Sequence, residues 1–114
     1  MINITNNIRK PYYTALVKIN IFSKNKYNQS NISIYEKLVS CAPGQPGFLG
    51  LETKEYSQGL YYILFYWKNL KYINAWQIRA ETAFSPKTSN ASPRGLYQLK
   101  ITKITKNSSV ISKV

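Results

Sequence analysis

Over residues 12–22 the chain alternates. Tyr13, Ala15, Val17, Ile19 and Ile21 fall on one side, with Tyr12, Thr14, Leu16, Lys18 and Asn20 on the other. A period of two over that length predicts a strand. Residues 23–29 are polar and predict a loop. Over residues 30–42 the period lengthens, with Ile32, Tyr35, Leu38, Val39 and Ala42 recurring at helical spacing. Ser30 or Asn31 is the candidate N-cap. Pro43 and Gly44 end that helix, and Pro46 and Gly47 turn the chain into a second strand over residues 48–56. Ser57, Gln58 and Gly59 form a hairpin loop, and residues 60–67 form a third strand. Asn69 caps a second helix that runs to about Ala83, with Leu70, Ile73, Trp76 and Ala80 on one stripe. Residues 85–93 carry two prolines and predict a loop. Residues 95–105 predict a fourth strand, Tyr97, Leu99 and Ile101 alternating with Lys100 and Thr102.

The third strand has the largest consequence. Tyr61, Ile63, Phe65 and Trp67 lie on one face, and Tyr62, Leu64 and Tyr66 on the other, so both faces are apolar or aromatic. Such a strand has to be covered on both sides. The chain's own helices can cover one. The other needs a partner, which makes Tyr62, Leu64 and Tyr66 the candidate interface of a homodimer. The order β-α-β-β-α-β is that of the split βαβ, or ferredoxin-like, unit, class α+β with an antiparallel sheet. Residues 11–105 form one domain, between a polar arm (1–10) and a polar tail (106–114).

Composition agrees with a folded domain: 44% of residues are apolar and 14% aromatic. No apolar run approaches the ~20 residues that span a bilayer. The first residues lack the charged-then-apolar order of a signal peptide. A soluble cytoplasmic protein with no membrane contact is the expectation. Cys41 is the single cysteine, so no internal disulfide can form. It reads as a small buried hydrophobe near a helix end, with a reactive thiol as the alternative. Sixteen Lys and Arg against four acidic residues give a net charge of +12. The basic residues run from Arg9 to Lys113 without a block, and the abundance of Asn, Ile, Lys and Tyr is that of AT-rich coding. A general attraction for anions follows, but no specific nucleic-acid partner.

Candidate chemistry is thin. The chain has no histidine, hence no imidazole base and no imidazole metal ligand. One cysteine and four scattered glutamates make a poor metal site, so no metal is expected. The segment Pro43, Gly44, Gln45, Pro46, Gly47 lacks the N–H donors of a phosphate-cradling loop. Serine nucleophiles lack a base partner.

Longer pieces say more. Gln45-Pro46-Gly47-Phe48-Leu49-Gly50, then Tyr66-Trp67, then Ala75-Trp76 and Ala80-Glu81, in that order and spacing, resemble the antibiotic biosynthesis monooxygenase (ABM) family of dimeric α+β barrels. The likeness extends over residues 11–105. It implies a homodimer and cofactor-independent monooxygenation of a small aromatic, phenol- or quinol-like substrate. The cavity would lie between sheet and helices, bordered by Phe48, Phe65, Trp67, Trp76 and Arg79. The catalytic residues are not identified.

Departures from the family pattern narrow the reading. The haem-degrading branch has an axial histidine after the tryptophan that Trp76 matches; Ser85, Pro86 and Lys87 occupy that region here. Histidine-ligated haem, and any other cofactor, is therefore not expected. The phenol-oxidising branch has an asparagine four residues before the tryptophan that Trp67 matches, and Ile63 stands there. A third set of members has a helix reading Ala-Trp-x-x-His-Ala-Glu-His, in which Arg79 and Thr82 replace the two histidines. Pro93 and Arg94 stand where members often carry Trp-Tyr. Trp76 reads as core packing or as pocket lining. Trp67 reads as a pocket wall or as a staple at the helix entry. Arg79 and Glu81 read as solvated helix residues, or Arg79 as the guanidinium that pairs with an anionic ligand. The alternative functions are a non-catalytic small-molecule-binding or purely structural dimer, and a basic RNA-binding module. The third strand lacks the basic-glycine pattern of the latter.

Overall fold

The computed structural model describes residues 9–23, 26, 27, 29–84 and 93–105. Residues 85–92 of the loop expected over 85–93, most of the N-terminal arm and the C-terminal tail lie outside the described residues. The elements are β1 (Tyr12–Asn20), β2 (Phe22–Ser23), β3 (Lys26–Tyr27), α1 (Gln29–Cys41), β4 (Phe48–Ser57), β5 (Leu60–Trp67), α2 (Leu70–Ala83), a 3-10 turn (Pro93–Leu96) and β6 (Gln98–Ile104). The main sheet has four strands in the order β4-β5-β1-β6, every neighbouring pair antiparallel. This α+β arrangement of four strands and two helices is compatible with the ferredoxin-like unit. Among the described residues, no helix is long and apolar enough to cross a membrane.

β5 spans the residues its pattern indicates. The hairpin feeding it turns at Gln58 and Gly59, and Gly59 has φ 82°, a left-handed conformation that costs glycine little. Gly47 is also left-handed, at φ 81°, and a Cβ there would overlap the Tyr72 ring. The turn into β4 can therefore lie directly against α2.

Several details differ from the periodicity. The polar stretch after β1 is not all loop: Phe22–Ser23 pairs with Lys26–Tyr27, and α1 begins at Gln29. Ser30 and Asn31 thus lie inside α1, and the Asn31 amide donates to the Asn20 carbonyl. The fully buried stripe of α1 is Ile34, Leu38 and the following Ala42, with Ile32, Tyr35 and Val39 half-buried beside it. Both sets have helical spacing, and only contact with α2 and the sheet decides which is innermost. On α2, Leu70 is exposed and Gln77 takes a buried place, because a hydrogen bond compensates its amide. β6 begins at Gln98, not Gly95, because Pro93–Leu96 forms a 3-10 turn first. Asn69 has the extended N-cap backbone of α2, but its side chain makes no capping bond.

The core lies between one face of the sheet and the two helices. Ala15, Val17 and Ile19 of β1 and Ile63, Phe65 and Trp67 of β5 meet Ile34 and Leu38 of α1 and Ile73, Trp76 and Ala80 of α2.

Candidate functional site

Alternation along β5 aims Phe65 and Trp67 at the helices, and helical spacing aims Trp76 at the sheet. All three have no exposed surface. The Phe65 and Trp76 rings lie 4.5 Å apart, the Trp67 and Trp76 rings 5.3 Å. Phe48, half-buried at the start of β4, meets Trp67 edge-on at 5.4 Å. These are close-packed aromatic distances. The Trp76 indole N–H donates to the Leu38 carbonyl at 2.9 Å and ties α2 to α1. The Trp67 indole N–H is buried and has no acceptor among the described residues.

Of the five residues expected to border a cavity, Phe48, Phe65, Trp67 and Trp76 are thus brought together ring against ring. Arg79 is not among them. It is exposed on the outer side of α2, in an open groove lined with Cys41, Ala75, Ile78, Thr82 and Ala83. Cys41 is half-buried.

The three residues expected at an interface lie on the opposite face of β5, and their exposure differs. Tyr66 is only 2% exposed within the single chain. Its ring meets Tyr12 at 5.9 Å and its hydroxyl donates to Glu52 at 3.4 Å. Burial, with the Glu52 carboxylate beside it, pushes its pKa up to about 12. Tyr62 and Leu64 are half-buried. They line a depression of about 210 Å³ with Leu16, Glu52, Thr53 and Lys54. Tyr56, well exposed, rests on Tyr62 at 4.7 Å. Lys18 and Lys54 lie over the Tyr62 and Tyr56 rings at 5.8 and 5.5 Å.

A third group was not legible from sequence. The Gln77 amide donates to the Tyr97 hydroxyl at 2.8 Å, and that hydroxyl donates to Glu81 at 2.5 Å. Arg94 grips the same carboxylate with two bonds of 2.6 and 2.8 Å. Burial alone would raise the Glu81 pKa; the Arg94 and Tyr97 hydrogen bonds and the Arg94 charge outweigh it, so the carboxyl sits below its ordinary value. Burial and the Glu81 hydrogen bond push Tyr97 upward. The cluster locks α2 to the 3-10 turn and to Tyr97, which leads into β6. Gln77 and Glu81, four apart on one side of α2, are the signal that could have found it.

No protein-family model matches the chain. The Uncharacterized protein YqjZ of Bacillus subtilis (strain 168) is 30% identical over 81 residues, which cover 71% of this chain and 69% of that protein. The matched stretch amounts to most of a domain of this size, and the chain belongs to the same family as YqjZ.

Proposed function

We propose that the chain is an ABM-like protein of ferredoxin-like topology that works as a homodimer, two sheets facing each other in an α+β barrel, with a binding or structural role and no catalytic one. One observation carries this reading. Phe65, Trp67 and Trp76 are fully buried and lie ring against ring between sheet and helices, where an ABM-type substrate would have to lie. On the opposite face, Leu16, Tyr62 and Leu64 keep apolar surface around a depression. Burying such a patch against a second copy gains about 25 cal/mol per Å² of apolar area. The charge of +12 per chain opposes association.

A second reading, a cofactor-independent monooxygenase of a small phenol or quinol, is favoured by the orphaned Trp67 N–H. A buried donor without an acceptor costs about 1–3 kcal/mol, and a phenolate or carbonyl oxygen would satisfy it. In that reaction a phenol takes one atom of dioxygen to become a quinone, and the other leaves as water.

Two measurements on the full chain test the pair. Sedimentation should give twice the 13.1 kDa chain mass, and added salt should tighten the dimer by screening like charges. A monomer at all concentrations refutes the barrel. An oxygen electrode with a panel of phenols and quinols should record no consumption above the protein-free rate. Turnover lost in Trp67→Phe would favour the second reading.

A further inference from the structure

We propose that the groove between the end of α1 and the outer side of α2 binds a small organic monoanion, an apolar body carrying one carboxylate, with Arg79 holding the carboxylate. The proposal names a ligand class and a site, and it stands whether or not the chain dimerises, because the groove lies on the helices and not on the open sheet face.

Ala75, Arg79 and Thr82 follow one another along one side of α2 at helical spacing, with Ile78 and Ala83 at the flanks, and Cys41 closes the groove from α1. Its volume, about 590 Å³, falls within the range of about 300–1,000 Å³ usual for small-molecule sites. Half of the lining residues, Ala75, Ile78 and Ala83, are aliphatic, and Ile78 is 60% exposed, so its side chain is not used by the protein's own core. Of the lining side chains only Arg79 is charged.

With sixteen basic residues against four acidic ones an unpaired cation is common on this chain; Arg79 differs in lining an apolar groove. Arg94 is clamped by both oxygens of Glu81. Arg79 makes no hydrogen bond or ion pair among the described residues, and none of Glu36, Glu52, Glu55 and Glu81 lines the groove. A planar fork with no internal acceptor, set against aliphatic side chains, suits a carboxylate that enters with its hydrocarbon part along the helix. Inorganic phosphate would satisfy the fork but leave Ala75, Ile78 and Ala83 uncovered. The positive field of the chain adds to the selection of an anion over a cation.

Cys41 is the sole cysteine, so thiol alkylation reports on this groove alone. The full chain is treated with iodoacetamide in the presence of octanoate, octanol, octylamine or inorganic phosphate. Octanoate is expected to slow alkylation saturably, octanol less, and octylamine and phosphate not at all. Arg79→Gln should raise the half-protecting octanoate concentration about ten-fold, the effect of one lost charge-assisted contact. Its melting temperature should stay unchanged, because the side chain is exposed. Equal protection by octanoate and octanol, equal protection in Arg79→Gln, or none at about 10 mM octanoate, which would fill a site of millimolar Kd, overturns the proposal. The dimer reading is judged by sedimentation and fails or survives independently.

Discussion

On the helix-covered face of β5, Ile63, Phe65 and Trp67 have no exposed surface; on the opposite face Tyr62 and Leu64 keep part of theirs and Tyr66 almost none. Both faces are rich in apolar and aromatic groups, yet they are finished by different chemistry. The covered face uses Ile, Phe and Trp against helices, and only at its start a half-buried Tyr61 packed on Tyr35 of α1. The open face uses tyrosine, whose ring packs while its hydroxyl needs water or an acceptor. Near Trp67, Tyr66 finds that acceptor in Glu52 and a neighbour in Tyr12. Toward the start of β5, Tyr62 has Tyr56 and lysines around it and stays half-exposed. The lesson concerns the kind of aromatic: Phe65 and Trp67 are committed to the interior, and the tyrosines of β5 tolerate water or a partner at its edges.

The sharpest way to break this comparison is to place the same charge on adjacent residues. Ile63→Lys puts an ammonium among fully buried side chains, at a cost of several kcal/mol. Total stabilities are about 5–15 kcal/mol, so this variant is expected to lose cooperative unfolding altogether. Leu64→Lys puts the ammonium on the half-exposed face, where the long stem can carry it to water. That variant is expected to unfold cooperatively by circular dichroism and to sediment as a monomer. Loss of the fold in both would make the open face part of the core instead of an interface.

A smaller effect tests how the covered face is fastened at its β6 side. Glu81 sits below its ordinary pKa because of Arg94 and Tyr97. A depressed carboxylate adds stability that is fully present above the unfolded value, about 4.3, and is lost as pH falls through the folded one. Arg94 is 62% exposed, so solvent screens much of the ion pair and the Tyr97 bond carries more of the effect. Glu81→Gln should cost about 1–2 kcal/mol in urea unfolding at neutral pH. The gap to the parent chain should close as the solution is acidified below the folded pKa. A gap that is the same at both pH values would mean that Glu81 acts through packing, not charge.

Sheet and helices were legible because each follows from local alternation or helical spacing. β5 and the burial of Trp76 needed nothing more. The depth of each stripe was not legible: Ile34 outranks Ile32 in α1, and Gln77 replaces Leu70 in α2. Periodicity fixes which residues share a face, while the neighbouring element fixes which part of that face is innermost. The candidate site was read only in part, for the same reason. Spacing puts Phe65, Trp67 and Trp76 on facing sides of sheet and helix, but a pattern of positions does not say whether rings enclose space or fill it. Arg79 follows Trp76 by three residues, which left its side of α2 open to either reading. In the fold the helix turns it outward, to the groove with Cys41.

The smallest expected cost, that of Trp67→Phe, bears on the interior of the covered face. Trp67 and Trp76 are both fully buried and in contact, but among the described residues only Trp76 has an acceptor for its N–H, the Leu38 carbonyl. Trp76→Phe removes a made hydrogen bond together with ring contacts, at a cost of roughly 2–3 kcal/mol. Trp67→Phe removes similar ring contacts but also an unsatisfied buried donor, whose penalty of about 1–3 kcal/mol is relieved. The two terms for Trp67 oppose each other, so its net cost should stay within about 1 kcal/mol. Paired urea titrations of the two variants measure the difference. If Trp67→Phe proves as costly as Trp76→Phe, the Trp67 N–H is satisfied in solution by a water or a ligand oxygen inside the core. The space among these rings would then admit a small polar atom, and the monooxygenase reading would gain the site that ring-on-ring packing otherwise denies it.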